Sequence, residues 1–159
     1  MATDLRLSRP LVRRNGNHLI NEIQRTANLM AFNIEHCTTK PVTIGGHRLP
    51  AGISVVPQIG SALWDERIFP NPQKFDPCRF IDPQDGSLLK SEALIPFSLG
   101  KRSCLGESLA RMELFIFFAS IVQKFKLVPV DKDQLPTLTP KSAFVRSCQN
   151  YECFIRSAV

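Results

Sequence analysis

Residues 107–125 restrict most sharply what this chain can fold into. Leu109, Ala110, Met112, Leu114, Phe115, Ile116, Phe117, Phe118, Ile121, Val122 and Phe125 follow one another without a polar stripe. The spacing predicts a helix with apolar residues around nearly its whole circumference, which needs neighbours on every side. Such a helix belongs inside a protein more than one layer thick. A chain of 159 residues can bury roughly two thirds of its unfolded surface as one domain, so length alone permits a self-contained fold. The helix argues for a larger object. Phe supplies 11 side chains against one Trp and one Tyr, and Pro supplies 12, so a loop-rich fold packed largely through phenyl rings is expected.

Before that helix the chain divides by its punctuation. Residues 1–18 read as a basic leader without regular structure. Arg6, Arg9, Arg13 and Arg14 there face only Asp4, superficially like an organelle transit peptide, but Pro10 and Gly16 interrupt an amphipathic helix. Leu19, Ile20, Ile23, Ala27 and Met30 then recur at helical spacing and predict a helix over 18–30. Gly45-Gly46 between residues 42–44 and 47–49 signals a hairpin. A further strand is expected within 53–59 and a short helix over 61–67. Residues 69–95, broken by Pro70, Pro72, Pro77 and Pro83, read as an irregular meander. A second hairpin is expected over 144–155, about Gln149-Asn150.

Hydrophobic residues at 43% and charged residues at 21% exclude wholesale disorder, collagen and a disulfide scaffold. The net charge of +6 is spread along the chain without the aromatic and basic interleaving of a nucleic-acid surface, so no nucleic-acid partner is expected. The longest apolar run, 114–122, is well short of the about 18 residues of a membrane span, so no transmembrane segment is expected. Cys37, Cys78, Cys104, Cys148 and Cys153 form no CxxC pair, which argues for a reducing compartment and against zinc. Four of them read by default as small buried apolar residues. Cys104 stands apart.

Its segment, Phe97-Ser-Leu-Gly100-Lys-Arg102-Ser-Cys104-Leu-Gly106, places a cysteine just before a helix N-terminus with a cation two residues upstream and a glycine on each side. Helix-end N–H groups and nearby positive charge both favour a thiolate. The glycines let backbone approach a flat group closely. A thiolate with bare backbone around it and an arginine at hand suits axial ligation of a haem iron, with the arginine on a propionate.

These residues resemble the haem-ligand signature FxxGxRxCxG of the cytochrome P-450 (haem-thiolate monooxygenase) family, animal microsomal type. Glu22-Ile-Gln-Arg25 is similar to the family's ExxR motif, and Phe75-Asp-Pro-Cys-Arg79-Phe80 to the Pro-x-Arg-Phe element of its meander. Glu22 and Arg25 share a helix face and Arg79 can complete a Glu-Arg-Arg cluster. The resemblance implies a mainly α fold with small β-sheets, the cytochrome P-450 fold. Residues 19–159 would be its C-terminal part: ExxR helix, short hairpins, meander, cysteine-ligand loop, long buried helix and C-terminal hairpin. It further implies haem b as cofactor, Cys104 as axial ligand favouring O–O cleavage of dioxygen, and Phe97, Gly100, Arg102, Gly106 and His36 around the haem. His36 and Arg102 would hold propionates, and residues 29–34 and 143–147 would line the substrate pocket. A flavoprotein reductase is the implied electron source, with Lys101, Lys124 and Lys126 on the surface facing it. The implied substrate is a small lipophilic molecule, and the implied location the cytosolic face of the endoplasmic reticulum membrane.

Departures from the family pattern are equally specific. Cys78 stands where the meander usually has Glu. Nothing resembles the distal helix with its acid and Thr pair, the Trp-and-Arg helix that holds the other propionate, or the membrane anchor; these precede the ExxR motif in the family, and here 21 residues precede Glu22. No catalytic residue beyond the haem ligand is therefore expected. Two functions stand: the haem-ligating portion of a monooxygenase, or a non-catalytic truncated remnant or interaction fragment.

Overall fold

The structure, a computed structural model, describes residues 9–141 and 144–158, with side chains from Gly16 onward. The first helix, α1 (Arg9–Ala27), begins well before the expected start at 18 and so replaces an irregular leader over 9–18. Pro10 falls in its first turn, where a missing N–H removes no helical hydrogen bond. Gly16 is accommodated because an added Cβ would overlap the ring of Phe115. Residues 1–8, including Arg6 and Asp4, lie outside the described residues. The helix also stops earlier than expected: Asn28 takes φ +41° and donates its N–H to the Gln24 carbonyl at 3.1 Å, an asparagine closing the last turn in the left-handed region.

The buried stripe of α1 departs from the apolar pattern. Leu19 and Ile20 are buried, but Ala27 is exposed and Met30 lies beyond the helix; His18, Asn21, Glu22, Gln24, Arg25 and Asn28 are buried instead. Ile59, Leu63, Phe69 and Phe80 complete the apolar core among the described residues. Phe69 and Phe80 lie 6.2 Å apart between ring centroids.

Three small antiparallel pairs follow. Strand β1 (His36–Cys37) pairs with β4 (Ser54–Val55), in register His36 to Val55. Strands β2 (Val42–Ile44) and β3 (His47–Leu49) form the expected hairpin, with Gly45 at φ +55° and Gly46 at φ +84° supplying the turn. The strand expected over 53–59 is thus confined to β4, because the chain enters α2 (Ile59–Leu63) at once; this helix also sits earlier than 61–67. The meander is irregular as expected, with one 3-10 turn over Pro77–Phe80.

Helix α3 (Glu107–Lys124) runs straight into β5 (Phe125–Pro129). The C-terminal hairpin is not local: β6 (Cys153–Ser157) pairs with β5, Phe125 opposite Ser157 and Pro129 opposite Cys153, while 141 and 147 share an isolated bridge. The helix expected to be buried has no buried residue; Phe117 is 65% and Ile116 52% exposed. It packs against α1, where the Phe115 ring meets Gly16 and Arg111 meets Asn21 and Gln24. Cys37, Cys78 and Cys148 are exposed and Cys153 half-buried, so the default of buried thiols fails. No helix among the described residues is long and apolar enough to cross a membrane.

Candidate functional site

Glu22 and Arg25 face the same side of α1. Arg25 donates from Nε to Glu22 Oε2 at 2.8 Å and from Nη2 to Oε1 at 2.9 Å, and both side chains are fully buried. Removing such a pair from water is costly unless every remaining donor is met. Here α2 and the meander meet them: Arg25 Nη1 donates to the carbonyl of Leu63, the last residue of α2, at 3.0 Å and Nη2 to that of Pro72 at 2.8 Å. Arg79 places Nε 3.1 Å from Glu22 Oε2 and donates to the carbonyls of Pro70 and Lys74. The Asp76 N–H donates to Glu22 Oε1 at 2.8 Å. Lys74 beside Asp76 is the main cause holding that carboxyl below its usual range. The cluster expected of Glu22, Arg25 and Arg79 is present, and it fastens α1 to residues 70–80.

The cysteine loop is closed on itself. Cys104 N–H donates to the Phe97 carbonyl at 2.9 Å, Ser98 N–H to that of Ile95 at 2.9 Å and Ser103 N–H to that of Gly100 at 3.1 Å. Gly100 sits at φ +77° and opens a 3-10 turn, Gly100–Arg102. Cys104 then lies three residues ahead of the first residue of α3, whose first turn has no side-chain cap. The Cys104 side chain is exposed, and no Cβ stands at Gly106, 3.8 Å from its sulfur.

Beside the loop is a cavity of about 670 Å³, lined by Asn33, Glu35 and His36 from the segment after α1 and by Lys101, Arg102 and Leu105 from the loop. Lys101 and Arg102 are exposed and form no ion pair among the described residues. His36 directs Nδ1 to the Ile34 carbonyl at 2.6 Å. A carbonyl only accepts, so that nitrogen carries the proton and Nε2 donates only when the ring is an imidazolium. Glu35 is held by the Ser54 hydroxyl.

Phe97, Gly100, Arg102, Cys104 and Gly106 therefore share one loop, and His36 lines the same cavity as Arg102. Glu22, Arg25 and Arg79 form a separate cluster. Arg111 links α1 to the cysteine loop: Nη1 donates to Asn21 Oδ1 at 3.1 Å and Gln24 Oε1 at 3.0 Å, Nε to Glu107 Oε1 at 2.8 Å, and the guanidinium lies 5.4 Å from the Phe97 ring centroid. Sequence reasoning passed over Arg111, although Glu107 and Arg111 are spaced i,i+4. It also passed over Asn33 and Ser98, which are 65 residues apart and bonded to each other. Residues 29–34 and 144–147 meet, with Arg146 N–H on the Leu29 carbonyl at 2.9 Å and the rings of Phe32 and Phe144 edge to face at 5.3 Å. Ala143 lies outside the described residues.

The family model described as Cytochrome P450 matches residues 17–154. Cytochrome P450 2C3 of Oryctolagus cuniculus is 40% identical over 139 residues, 86% of this chain and 28% of the relative. Cytochrome P450 2C15 of the same species is 46% identical over 109 residues, 69% of this chain and 29% of the relative. Cytochrome P450 2C44 of Mus musculus is 44% identical over 125 residues, 76% of this chain and 25% of the relative. The chain belongs to the cytochrome P450 family, a family of haem b monooxygenases. It spans less than a third of the length of these relatives.

The residues present fit a haem. An exposed thiol flanked by a Cβ-free position offers a ligand to one face of a flat ring, and Lys101 and Arg102, unpaired at the adjoining cavity, suit carboxylates on its edge.

Proposed function

We propose that this chain carries the haem-ligating portion of a haem-thiolate monooxygenase acting on small lipophilic molecules. One observation supports this above the others: the loop that exposes Cys104 borders a cavity lined by His36, Lys101 and Arg102, and neither cation forms an ion pair among the described residues. When bound through a thiolate, haem supplies activation of dioxygen for insertion into a C–H bond. The protein's part is to hold. Cys104 would ligate the iron, and Arg102 and His36 would hold propionates. Phe97, fixed beneath Arg111, packs on the ligand side, and Gly100 and Gly106 keep side chains off that face. Glu22, Arg25 and Arg79 keep α1 and the meander fixed beneath. Residues 29–34 and 144–147, already in contact, form part of a substrate wall. Electrons would come from a flavoprotein reductase docking near Lys101, Lys124 and Lys126, at the cytosolic face of the endoplasmic reticulum.

The test is a chimera in which residues 17–154 replace the matching segment of the rabbit relative Cytochrome P450 2C3. The expected result is a thiolate-type Soret shift in the reduced carbon monoxide complex, lost in Cys104→Ser. A chimera that folds and binds haem with the same spectrum after Cys104→Ser overturns the ligand assignment.

A second reading, a non-catalytic remnant or interaction fragment, is favoured for the chain alone by α3, which has no buried residue. Only one face of a bound haem would be covered, and the isolated chain is expected to aggregate or to bind haem poorly. A stable thiolate-type carbon monoxide complex in the purified chain would sink this reading.

A further inference from the structure

We infer that Asn33 is a positioning residue for the cysteine loop, acting through Ser98. Among the described residues, the non-glycine residues with positive φ are Asn28, Asn71 and Ser98. Asparagine visits the left-handed region readily; serine has less tendency to do so, and needs something to hold it there. Ser98, at φ +66°, directly follows Phe97, whose carbonyl accepts the Cys104 N–H. Its conformation therefore sets where the ring closed by Phe97 and Cys104 begins.

What holds it is on another segment. Asn33 Nδ2 donates to Ser98 Oγ at 2.6 Å, and both residues are half-buried. Asn33 is itself fixed at its other polar groups, with N–H on the Pro57 carbonyl at 2.8 Å and Oδ1 accepting from Ile34 N–H at 2.8 Å. With both ends of its amide bonded and its own N–H anchored, Asn33 is a rigid post rather than a mobile surface side chain. It lines the same cavity as Lys101 and Arg102, so this one bond ties the segment after α1 to the loop that presents the thiol. The inference rests on the proposed ligand role of that loop only for its functional meaning; the clamp itself is a property of the haem-free chain.

The test is amide hydrogen exchange across residues 97–104 in the full chain, kept dispersed in a non-denaturing detergent. Asn33→Ala and Ser98→Ala are each expected to speed exchange there about two- to ten-fold, the range of one lost hydrogen bond. The double variant is expected to be no faster than either single one. Asn33→Asp is expected to restore slow exchange, because the Ser98 hydroxyl can donate to a carboxylate. Unchanged exchange in Asn33→Ala, additive effects in the double variant, or no rescue by Asn33→Asp would overturn the inference. So would faster exchange spreading into α1, which would make Asn33 part of global stability rather than a local clamp. If the exchange results hold while the Cys104 chimera shows no thiolate spectrum, the haem reading fails and the clamp stands.

Discussion

Glu22 receives Arg25 through both carboxylate oxygens while Arg79 approaches one of them from the meander, so one buried carboxylate balances two guanidinium groups. Its removal leaves Arg25 with an uncompensated charge at zero exposure. Glu22→Ala is expected to cost about 3–5 kcal/mol, a large share of a domain's total stability. Arg25→Lys is expected to fail too, since an ammonium cannot reproduce the fork to Glu22 together with the bonds to Leu63 and Pro72. Urea unfolding followed by the fluorescence of Trp64, the single tryptophan, reads both.

The glycines of the cysteine loop are expected to differ in what they tolerate. Gly100→Ala forces a side chain into φ +77° and should destabilise the loop by about 1–2 kcal/mol. Gly106, at φ −87°, would place a new Cβ 3.8 Å from the Cys104 sulfur, an ordinary contact. Gly106→Ala should therefore leave the urea midpoint unchanged, yet weaken haem uptake in the chimera because the methyl stands where the ring must approach.

Polar substitution of α3 should help the isolated chain and harm the chimera. Ile116→Lys with Phe117→Glu removes two of the most exposed apolar side chains of this helix. Light scattering should report less aggregation of the chain, with stability within about 0.5 kcal/mol of the parent. In the chimera the same pair should prevent folding, because a helix apolar around its whole circumference needs apolar neighbours on every side.

His18 gives acid sensitivity. Burial holds its imidazole below the ordinary value of 6.5, an effect the Phe80 backbone partly offsets, and neither ring nitrogen makes a well-formed hydrogen bond. As the pH falls below that value the unfolded chain takes up a proton that the folded chain refuses, so stability declines until the folded group also titrates. Urea midpoints should fall between about pH 7 and 5, and His18→Leu should flatten that slope.

Local spacing made much of this legible. Gly45-Gly46 specified its hairpin, the i,i+3 pair of Glu22 and Arg25 specified a shared face, and the glycines about Cys104 specified an open loop. What stayed hidden was set by groups distant in the chain. The start of α1 was misjudged because Pro10 counts as a breaker only inside a helix, not in its first turn. Its buried stripe departs from the apolar spacing because distant groups supply polar partners there: Arg111 for Asn21 and Gln24, and the meander for Glu22 and Arg25. The partner of β6 was misplaced because a turn at Gln149-Asn150 competes with a strand 24 residues earlier. Asn33 and Ser98 left no periodic trace at all.

Arg111 binds Asn21 and Gln24 on one helix, Glu107 on its own, and covers Phe97 on the loop between motifs. Each partner supplies an oxygen or a ring face that only a planar, multiply donating cation can serve at once. Descent should therefore treat these positions as a single inherited character: across species, a change at 111 should be accompanied by changes at 21, 24 and 107, and a drifting copy of the gene released from selection should lose that correlation before it loses the cysteine motif itself.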